Sequence, residues 1–254
     1  MRYCRFTLLG KHRWGIYTDD GVQPVDESPY DGGVPKHSGE LLPFEAVQLE
    51  APAQPTKIIG IGRNYAEHAK ELGNEVPTEP LIFLKAPSSL LAHEGVIRYP
   101  VGISELVHFE GELGVVIGRT TRNVSEAEAA NAILGYTLVN DVTARDLQRK
   151  DVQFTRAKSF DTFCPVGPWV DTDFRPDAQR ISLTVNGVTK QDGSLAQMIF
   201  KVPFLVSWLS RMMTLERGDL IATGTPAGVG PLVPGDTVEV TIDGLGTLSN
   251  TVSI

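Results

Sequence analysis

Turn-forming residues interrupt the apolar runs of this sequence at short intervals. The chain has 254 residues, of which 25 are glycine and 17 are proline. Such frequent interruption favours many short strands over long helices. The clearest predicted strands cover residues 81–84, 113–117, 183–185, 220–223 and 238–242. We therefore expect a mostly β (α+β) fold, curled or barrel-like, with few helices.

Helical signals are confined to a few segments. The predicted helices cover residues 65–72, which stop at Gly73, residues 129–133 after a capping box of Ser125 and Glu128, and residues 204–213 after Pro203. Asn186-Gly187 predicts a tight hairpin, and Asp31-Gly32-Gly33 predicts a turn near the N-terminus.

Two closely spaced prolines, Pro52 and Pro55, indicate an extended linker. Short apolar runs broken by turn signals precede this linker. We therefore expect residues 1–54 to form a small N-terminal β domain and residues 55–254 to form the main domain.

The overall charge restricts the classes of partner. Apolar residues make up 41% of the chain and charged residues 21%, as in ordinary globular proteins, and the formal net charge is −8. Nucleic acids and anionic membranes require a basic surface, so neither is an expected partner. No signal-peptide pattern or long apolar stretch is visible, and Cys4 and Cys164 show no metal-type spacing. A reduced, cytoplasmic protein is expected.

Three acidic residues lie at the ends of predicted strands. Glu110 and Glu112 precede the apolar run 113–117, and strand alternation points both side chains to one face. Asp141 follows a second apolar run, residues 133–139. Close carboxylates repel one another unless a cation lies between them, and oxygen ligands without thiolates suit Mg²⁺ or Mn²⁺. Scattered acids on a solvent-facing edge strand are the alternative interpretation.

A histidine and a glutamate share one face of the first predicted helix. His68 and Glu71 are three residues apart, a spacing that brings helical side chains together. A carboxylate beside an imidazole fixes its tautomer and stabilises the imidazolium, which suits a general base. The alternative is an exposed ion pair on a solvated helix that also carries Glu67 and Lys70, and this segment alone favours that alternative.

A polar segment rich in basic residues follows Asp141. Arg145 and Gln148 are three residues apart, and Lys158 comes after them. Arginine can form a fork to a carboxylate, and lysine can supply a point charge. The alternative is a polar loop in which Arg145 pairs with Asp146 or Asp151.

Small residues dominate the segment 223–230, which contains Thr225. Glycines there allow the backbone to approach a bound group, although they equally suit a tight turn. The segment lacks the Gly-Lys-Ser/Thr sequence of a phosphate-binding P-loop.

Together these segments resemble the fumarylacetoacetate hydrolase (FAH) family, in order and in spacing, from about residue 57 to the C-terminus. The matching motifs are Gly-Arg-Asn-Tyr-x-x-His, Phe-Leu-Lys, Glu-x-Glu-Leu-Gly-Val-Val, Asp-x-Thr-Ala-Arg-Asp-x-Gln, Ala-Lys-Ser-Phe and Thr-Gly-Thr-Pro-x-Gly-Val-Gly. The segment Tyr-x-x-His-x-x-Glu is most similar to the branch of small acylpyruvate hydrolases, oxaloacetate decarboxylases and hydroxyhepta-dienedioate isomerases. The resemblance implies a β-roll of mixed sheets, usually dimeric and often preceded by a small N-terminal domain.

The resemblance also implies roles for individual residues. Glu110, Glu112 and Asp141 are expected to hold Mg²⁺ or Mn²⁺, and His68 with Glu71 is expected to activate water on a mobile helix. The residues expected to face the substrate are Arg145, Gln148, Lys158 and Thr225, of which Lys158 is also expected to take part in catalysis. His108, two residues before Glu110, is expected to support a metal ligand rather than to bind the metal.

The implied reaction is divalent-metal-dependent hydrolysis of a C–C bond in an acylpyruvate-type β-diketo acid, through a metal-stabilised enolate. The close alternative is decarboxylation or isomerisation of a related 2-oxo dicarboxylate, such as oxaloacetate or hydroxyhepta-dienedioate. An alternative from another class is a non-catalytic ligand-binding protein on the same fold, which would not need both His68 and Glu71. In each case the expected partner is a small anionic 2-oxo acid, bound by a homodimer.

Overall fold

The strands of the protein are short, as the turn-rich sequence predicts. The structure is a computed structural model that describes residues 1–31 and 35–254, so the predicted turn at Asp31-Gly32-Gly33 lies partly outside the described residues. The strands are β1 (Arg2–Leu8), β2 (Lys11–Thr18), β3 (Gly21–Pro24), β4 (Gln48–Glu50), β5 (Ile58–Gly62), β6 (Leu81–Lys85), β7 (Leu90–Leu91), β8 (Val96–Arg98), β9 (Val107–Phe109), β10 (Gly111–Ile117), β11 (Ile133–Asn140), β12 (Thr143–Ala144), β13 (Cys164–Asp171), β14 (Arg180–Val185), β15 (Val188–Ser194), β16 (Leu220–Ala222), β17 (Gly230–Pro231), β18 (Thr237–Ile242) and β19 (Gly246–Ser253).

The helices are few and short. They are α1 (Ala66–Glu71), α2 (Glu126–Ala129), α3 (Arg145–Lys150), α4 (Thr155–Lys158) and α5 (Val202–Met212), with 3-10 turns at Phe44–Ala46, Pro87–Ser89, Ala130–Ala132 and Leu195–Gln197. The predicted helices near residues 65–72 and 204–213 are confirmed, as is the Ser125–Glu128 capping box. The predicted helix 129–133 is wrong in extent, because α2 ends at Ala129 and a 3-10 turn leads into β11. Within the described residues, no helix is long and apolar enough to cross a membrane.

The strands form three sheets, and the largest is mixed. Its order is β3-β2-β1-β13-β11-β10-β16-β5-β6, with β4 added on β1 and β7 on β13. Most neighbours are antiparallel, but β16 runs parallel to β5. The second sheet has the order β15-β14-β18-β19-β8, and the predicted hairpin at Asn186-Gly187 joins β14 to β15. A small third sheet, β12-β9-β17, lies beside the start of β10. The mostly β fold is confirmed.

The register of two central strands determines where the acidic residues meet. Strands β10 and β11 pair antiparallel with Gly111 opposite Asn140. Glu110 precedes β10 and Asp141 follows β11, so both lie at the same end of this antiparallel strand pair. There, Asp141 N donates to Glu110 O over 2.8 Å. The prediction that Glu110 and Glu112 share one continuous strand is wrong in detail. Strand β9 ends at Phe109 and β10 begins at Gly111, which leaves Glu110 at the junction between them.

The N-terminal segment is attached to the main sheet. Strand β1 pairs antiparallel with β13, with Tyr3 opposite Val170. The predicted linker is packed rather than free, because Ala53 is buried in a core cluster and Thr56 donates to the buried Asp219. Pairing extends the sheet and burial removes apolar surface from water, so both hold the segment in place. The division into domains 1–54 and 55–254 stays a prediction.

Candidate active site

Three buried carboxylates converge at the start of β10. One oxygen from each of Glu110, Glu112 and Asp141 lies within 4.8 Å of the others, and the three residues are at most 4% exposed. The junction before β10 is held open by side-chain amides: Glu110 N donates to Asn140 Oδ1 over 3.0 Å, and Gly111 N donates to Gln191 Oε1 over 2.9 Å. Backbone groups without strand partners are thereby satisfied, which lets the chain change direction between the two glutamates.

Three cations surround these carboxylates. Lys158 Nζ lies 2.8 Å from Glu110 Oε2 and 2.6 Å from Asp141 Oδ2, and Arg145 forms an ion pair with Glu110. Lys85 Nζ lies 2.6 Å from Asp141 Oδ1, and its side chain is fully buried. Sequence reasoning assigned no role to Lys85. Its signal was a lysine at the end of the apolar strand β6, where a buried charge requires a partner.

Glu112 differs from the other two acids in its surroundings. It accepts a hydrogen bond from Gly224 N over 2.8 Å and has no ion-pair partner among the described residues. Burial and the charges of Asp141 and Glu110 raise the pKa of Glu112 well above its usual range. Burial also raises the pKa of Glu110, but the charges of Lys158 and Arg145 outweigh it and hold that pKa below its usual range. A cation beside Glu112 would relieve this repulsion.

The donor set fits a hard divalent cation. All three groups are carboxylates, the ligand type that Mg²⁺ and Mn²⁺ prefer, and their oxygens are close enough to share one ion. The unbalanced charge at Glu112 is a second, independent reason for that fit.

His68 and Glu71 form a pair on the cavity side of α1. His68 Nδ1 lies 3.2 Å from Glu71 Oε2, and His68 is only 5% exposed. Glu71 also accepts a hydrogen bond from Gly228 N over 3.0 Å, which ties α1 to the segment 223–230. A second ion pair on this helix, with both partners exposed, joins Lys70 to Glu67. The solvated alternative does not describe His68, which is buried, although Glu71 is exposed.

Helix α3 directs Arg145 inward rather than along the surface. Arg145 Nη1 donates to Gln148 Oε1 over 2.5 Å, while its other amino group pairs with Glu110. The alternative in which Arg145 pairs with Asp146 or Asp151 is wrong. Asp146 accepts from Ser104 and Asp151 pairs with Arg156.

The hydroxyl group of Thr225 both donates and accepts a hydrogen bond within the protein. Its Oγ1 donates to Gly111 O over 2.9 Å and accepts from Gln191 Nε2 over 2.7 Å. The glycine beside it is required, because Gly224 has a φ of +99° and a Cβ there would lie 2.7 Å from Asn64 Cβ. The small residues of this segment therefore allow close approach to Glu112 and Asn64.

One cavity contains all of the sequence-predicted site residues. Its volume is about 390 Å³, within the usual range for small-ligand sites. The predicted residues that line it are His68, Glu71, Glu110, Glu112, Asp141, Arg145, Gln148, Lys158 and Thr225. Apolar walls come from Ile61, Leu72, Leu81, Phe83 and Phe154. The individual roles stay predictions.

His108 lies outside the cavity lining. Its strand, β9, pairs with β12 and β17, and burial together with the charge of Arg145 lowers the pKa of His108 to about 4. It is therefore neutral at pH 7. Its role in supporting a metal ligand stays a prediction.

Comparison with known proteins yields a match over nearly the whole chain. Residues 57–253 match the family model described as "Fumarylacetoacetate (FAA) hydrolase C-terminal", and residues 1–52 match "Rv2993c-like, N-terminal". A mitochondrial oxaloacetate decarboxylase of Dictyostelium discoideum is 48% identical over 198 residues, which cover 75% of this chain and 90% of that protein.

Two solved structures extend the comparison to the fold. The 2-hydroxyhepta-2,4-diene-1,7-dioate isomerase of Mycobacterium marinum has a TM-score of 0.91 at 43% identity, and the match covers 100% of this chain and 98% of that one. A fumarylpyruvate hydrolase of Pseudomonas aeruginosa, in complex with Mn²⁺ and pyruvate, has a TM-score of 0.75 at 34% identity, covering 82% of this chain and 92% of that one. These matches confirm the expected FAH-type fold. The chain belongs to the fumarylacetoacetate hydrolase family.

Proposed function

We propose that this protein is a divalent-metal-dependent enzyme that acts on a small 2-oxo acid through an enolate, most simply by breaking the C3–C4 bond, which lies one carbon beyond the keto group at C2. The observation that carries the proposal is the convergence of three carboxylates suited to a metal ion and of the buried His68, hydrogen-bonded to Glu71, on one cavity. A carboxylate triad alone would serve binding. A histidine oriented by a carboxylate adds the means to move a proton, which speaks against a non-catalytic ligand-binding protein.

The triad Glu110, Glu112 and Asp141 would hold Mg²⁺ or Mn²⁺. Once bound, the ion supplies a Lewis acid that stabilises negative charge on the keto oxygen of the substrate. Lys158 and Arg145 lie at the cavity wall, where their positive charge would balance the substrate carboxylate. The related fumarylpyruvate hydrolase, in complex with Mn²⁺ and pyruvate, supports this choice of metal and ligand class.

Hydrolysis of an acylpyruvate-type β-diketo acid is the first candidate reaction. His68 takes a proton from water, and the resulting hydroxide attacks the distal carbonyl. The C3–C4 bond then breaks to give a carboxylic acid and the enolate of pyruvate, which takes the proton from His68 at C3. Glu71 holds the imidazole through Nδ1, which leaves Nε2 as the atom that exchanges the proton.

Decarboxylation or isomerisation of a 2-oxo dicarboxylate is the second candidate. The favouring observation is that the oxaloacetate decarboxylase is 48% identical to this chain and the hydroxyhepta-dienedioate isomerase 43%, against 34% for the fumarylpyruvate hydrolase. Loss of CO₂ requires no water, and isomerisation requires one base that moves one proton. The same site serves both, with His68 as the base for proton transfer.

We further propose that the working protein is a cytoplasmic homodimer, as the family resemblance implies. The substrate is expected to be an anionic 2-oxo acid, since Lys85, Lys158 and Arg145 bring positive charge to a site that a divalent ion would make more positive.

A steady-state screen tests the proposal. Acetylpyruvate, fumarylpyruvate and oxaloacetate are incubated with the protein and Mg²⁺ or Mn²⁺, and loss of substrate is followed by absorbance. We expect metal-dependent turnover of at least one, abolished by EDTA and by Glu112→Gln. The control is Asp177→Asn, an exposed acid remote from the cavity lining, which should match the wild type. Absence of turnover with all three compounds and both metals would contradict the proposal.

A further inference from the structure

We propose that Arg63 and Arg149 form a second anion subsite that binds the distal carboxylate of a 2-oxo dicarboxylate. This inference rests on the proposed function and deepens it, since it selects dicarboxylates over monocarboxylates as the substrate class. Both arginines line the same cavity as the carboxylate triad. Neither forms an ion pair with any acid in the part of the chain that the structure describes.

Arg63 has a rigid and strained mounting. It follows β5 directly, and its φ of +57° lies in the left-handed region that residues other than glycine rarely adopt. The next residue, Asn64, is fully buried and holds this conformation with its amide: Nδ2 donates to Thr223 O over 2.7 Å, and Oδ1 accepts from Phe200 N over 2.7 Å. Strain that is maintained by buried bonds is typical of functional positions.

Arg149 extends a row of basic side chains outward along α3. It lies four residues after Arg145, so both occupy the same face of the helix, one turn apart. Arg145 is buried and pairs with Glu110 at the inner end of the cavity, whereas Arg149 is exposed. The row therefore places one cation beside the metal site and the next nearer to solvent.

Ion pairing distinguishes the three cations beside the carboxylate triad from Arg63 and Arg149. The three inner cations, Lys85, Lys158 and Arg145, are each bound to a carboxylate of the triad. A divalent ion and the 2-oxo carboxylate group of the substrate would occupy the part of the cavity beside the carboxylate triad. Arg63 and Arg149 have no such carboxylate partner among the described residues, so their planar guanidinium groups are available to a second carboxylate. Glu71, the remaining acid of the lining, is already engaged by His68 and Gly228 N.

The test uses two ligands that differ by a carboxymethyl group, which carries the distal carboxylate. Isothermal titration of the Mn²⁺-loaded protein compares pyruvate with 2-oxoglutarate, for the wild type, Arg63→Gln, Arg149→Gln and the control Arg211→Gln. Arg211 is an exposed arginine on α5 that does not line this cavity. We expect Arg63→Gln and Arg149→Gln to weaken 2-oxoglutarate binding by roughly tenfold or more, the scale of one lost charged hydrogen bond. Pyruvate binding should stay within about twofold of the wild type.

Two results would overturn the subsite. One is unchanged 2-oxoglutarate affinity in both variants, and the other is an equal loss for pyruvate and 2-oxoglutarate, which would indicate a general effect of charge. Arg149 is exposed, so its replacement should not impair folding and keeps the test decisive if Arg63→Gln is unstable. Failure of the wild type to bind pyruvate with Mn²⁺ would instead refute the proposed function, and the subsite with it.

Discussion

Glu112→Gln should stabilise the metal-free protein while it removes metal binding. Glu112 is buried, lacks a cationic partner among the described residues and lies within 4.8 Å of ligand oxygens on Glu110 and Asp141. Two unit charges at that distance repel by about 3.5 kcal/mol at an effective dielectric of about 20. Lys158 offsets part of this repulsion. We therefore expect the neutral amide to raise the free energy of unfolding by about 1–3 kcal/mol without metal.

The matched variant Glu110→Gln should have the opposite effect on stability. Glu110 pairs with both Lys158 and Arg145, and removal of one partner from a buried ion pair costs about 3–5 kcal/mol. Both variants remove a proposed metal ligand, so both should lose Mn²⁺ affinity. If Glu112→Gln stabilises the protein and Glu110→Gln destabilises it while both lose Mn²⁺ affinity, the effect at Glu112 is relief of electrostatic repulsion. General disruption of the site would destabilise both variants.

The assay combines thermal unfolding in EDTA with calorimetric titration of Mn²⁺. For a chain of this size, each kcal/mol corresponds to roughly 2–4 °C in Tm. The pH dependence of the free energy of unfolding provides a further test. Because the pKa of Glu112 is raised in the folded state, its contribution to stability is present below the unfolded pKa of about 4.3 and is lost as pH rises through the folded pKa. This loss should be absent in Glu112→Gln.

Destabilisation of the metal-free protein by Glu112→Gln would refute the argument from repulsion. Wild-type Mn²⁺ affinity in both variants would refute the metal site itself. Thermal unfolding tests the repulsion at Glu112, and calorimetry independently tests metal binding.

Three further predictions concern His68, the segment 64–80 and Asp219. His68→Ala should lower acylpyruvate hydrolysis by roughly a hundredfold or more, the scale of a general base, with Mn²⁺ affinity retained by calorimetry; unchanged hydrolysis would remove His68 from the mechanism, and decarboxylation would be the better reading. Residues 64–80 should behave as a lid, because none of residues 71–79 is buried and Glu71 contacts Gly228 N through an exposed hydrogen bond. Hydrogen exchange there should slow on addition of Mg²⁺ and oxalate, and equal strong protection in both states would argue for a rigid helix. Asp219→Asn should destabilise the protein by about 3 kcal/mol in urea, because this fully buried carboxylate accepts from Thr56 N, Thr56 Oγ1, Lys57 N and Glu216 N and pairs with Lys57 Nζ; a cost no larger than that of the exposed control Asp177→Asn would show that these bonds contribute little.

Local physical chemistry was readable from the sequence. Short apolar runs between glycines and prolines predicted the strands, and the i, i+3 spacing predicted the contact of His68 with Glu71, which the structure places at 3.2 Å. Acids next to apolar runs predicted that Glu110, Glu112 and Asp141 would lie at strand ends. These features depend on neighbours within a few residues, where periodicity and capping decide the outcome.

Only the tertiary structure decided which distant groups meet. Lys85, at the end of β6, reaches Asp141 across 56 positions of sequence, although β10, β16 and β5 lie between β6 and β11 in the main sheet. Arg145 had acidic neighbours in sequence, yet it pairs with Glu110, 35 residues away. A buried charge gains most from the partner that shares its low-dielectric environment, and sequence proximity does not reveal that environment. The register of β10 and β11 places Gly111 opposite Asn140 and so brings the three carboxylates together at one end of this strand pair.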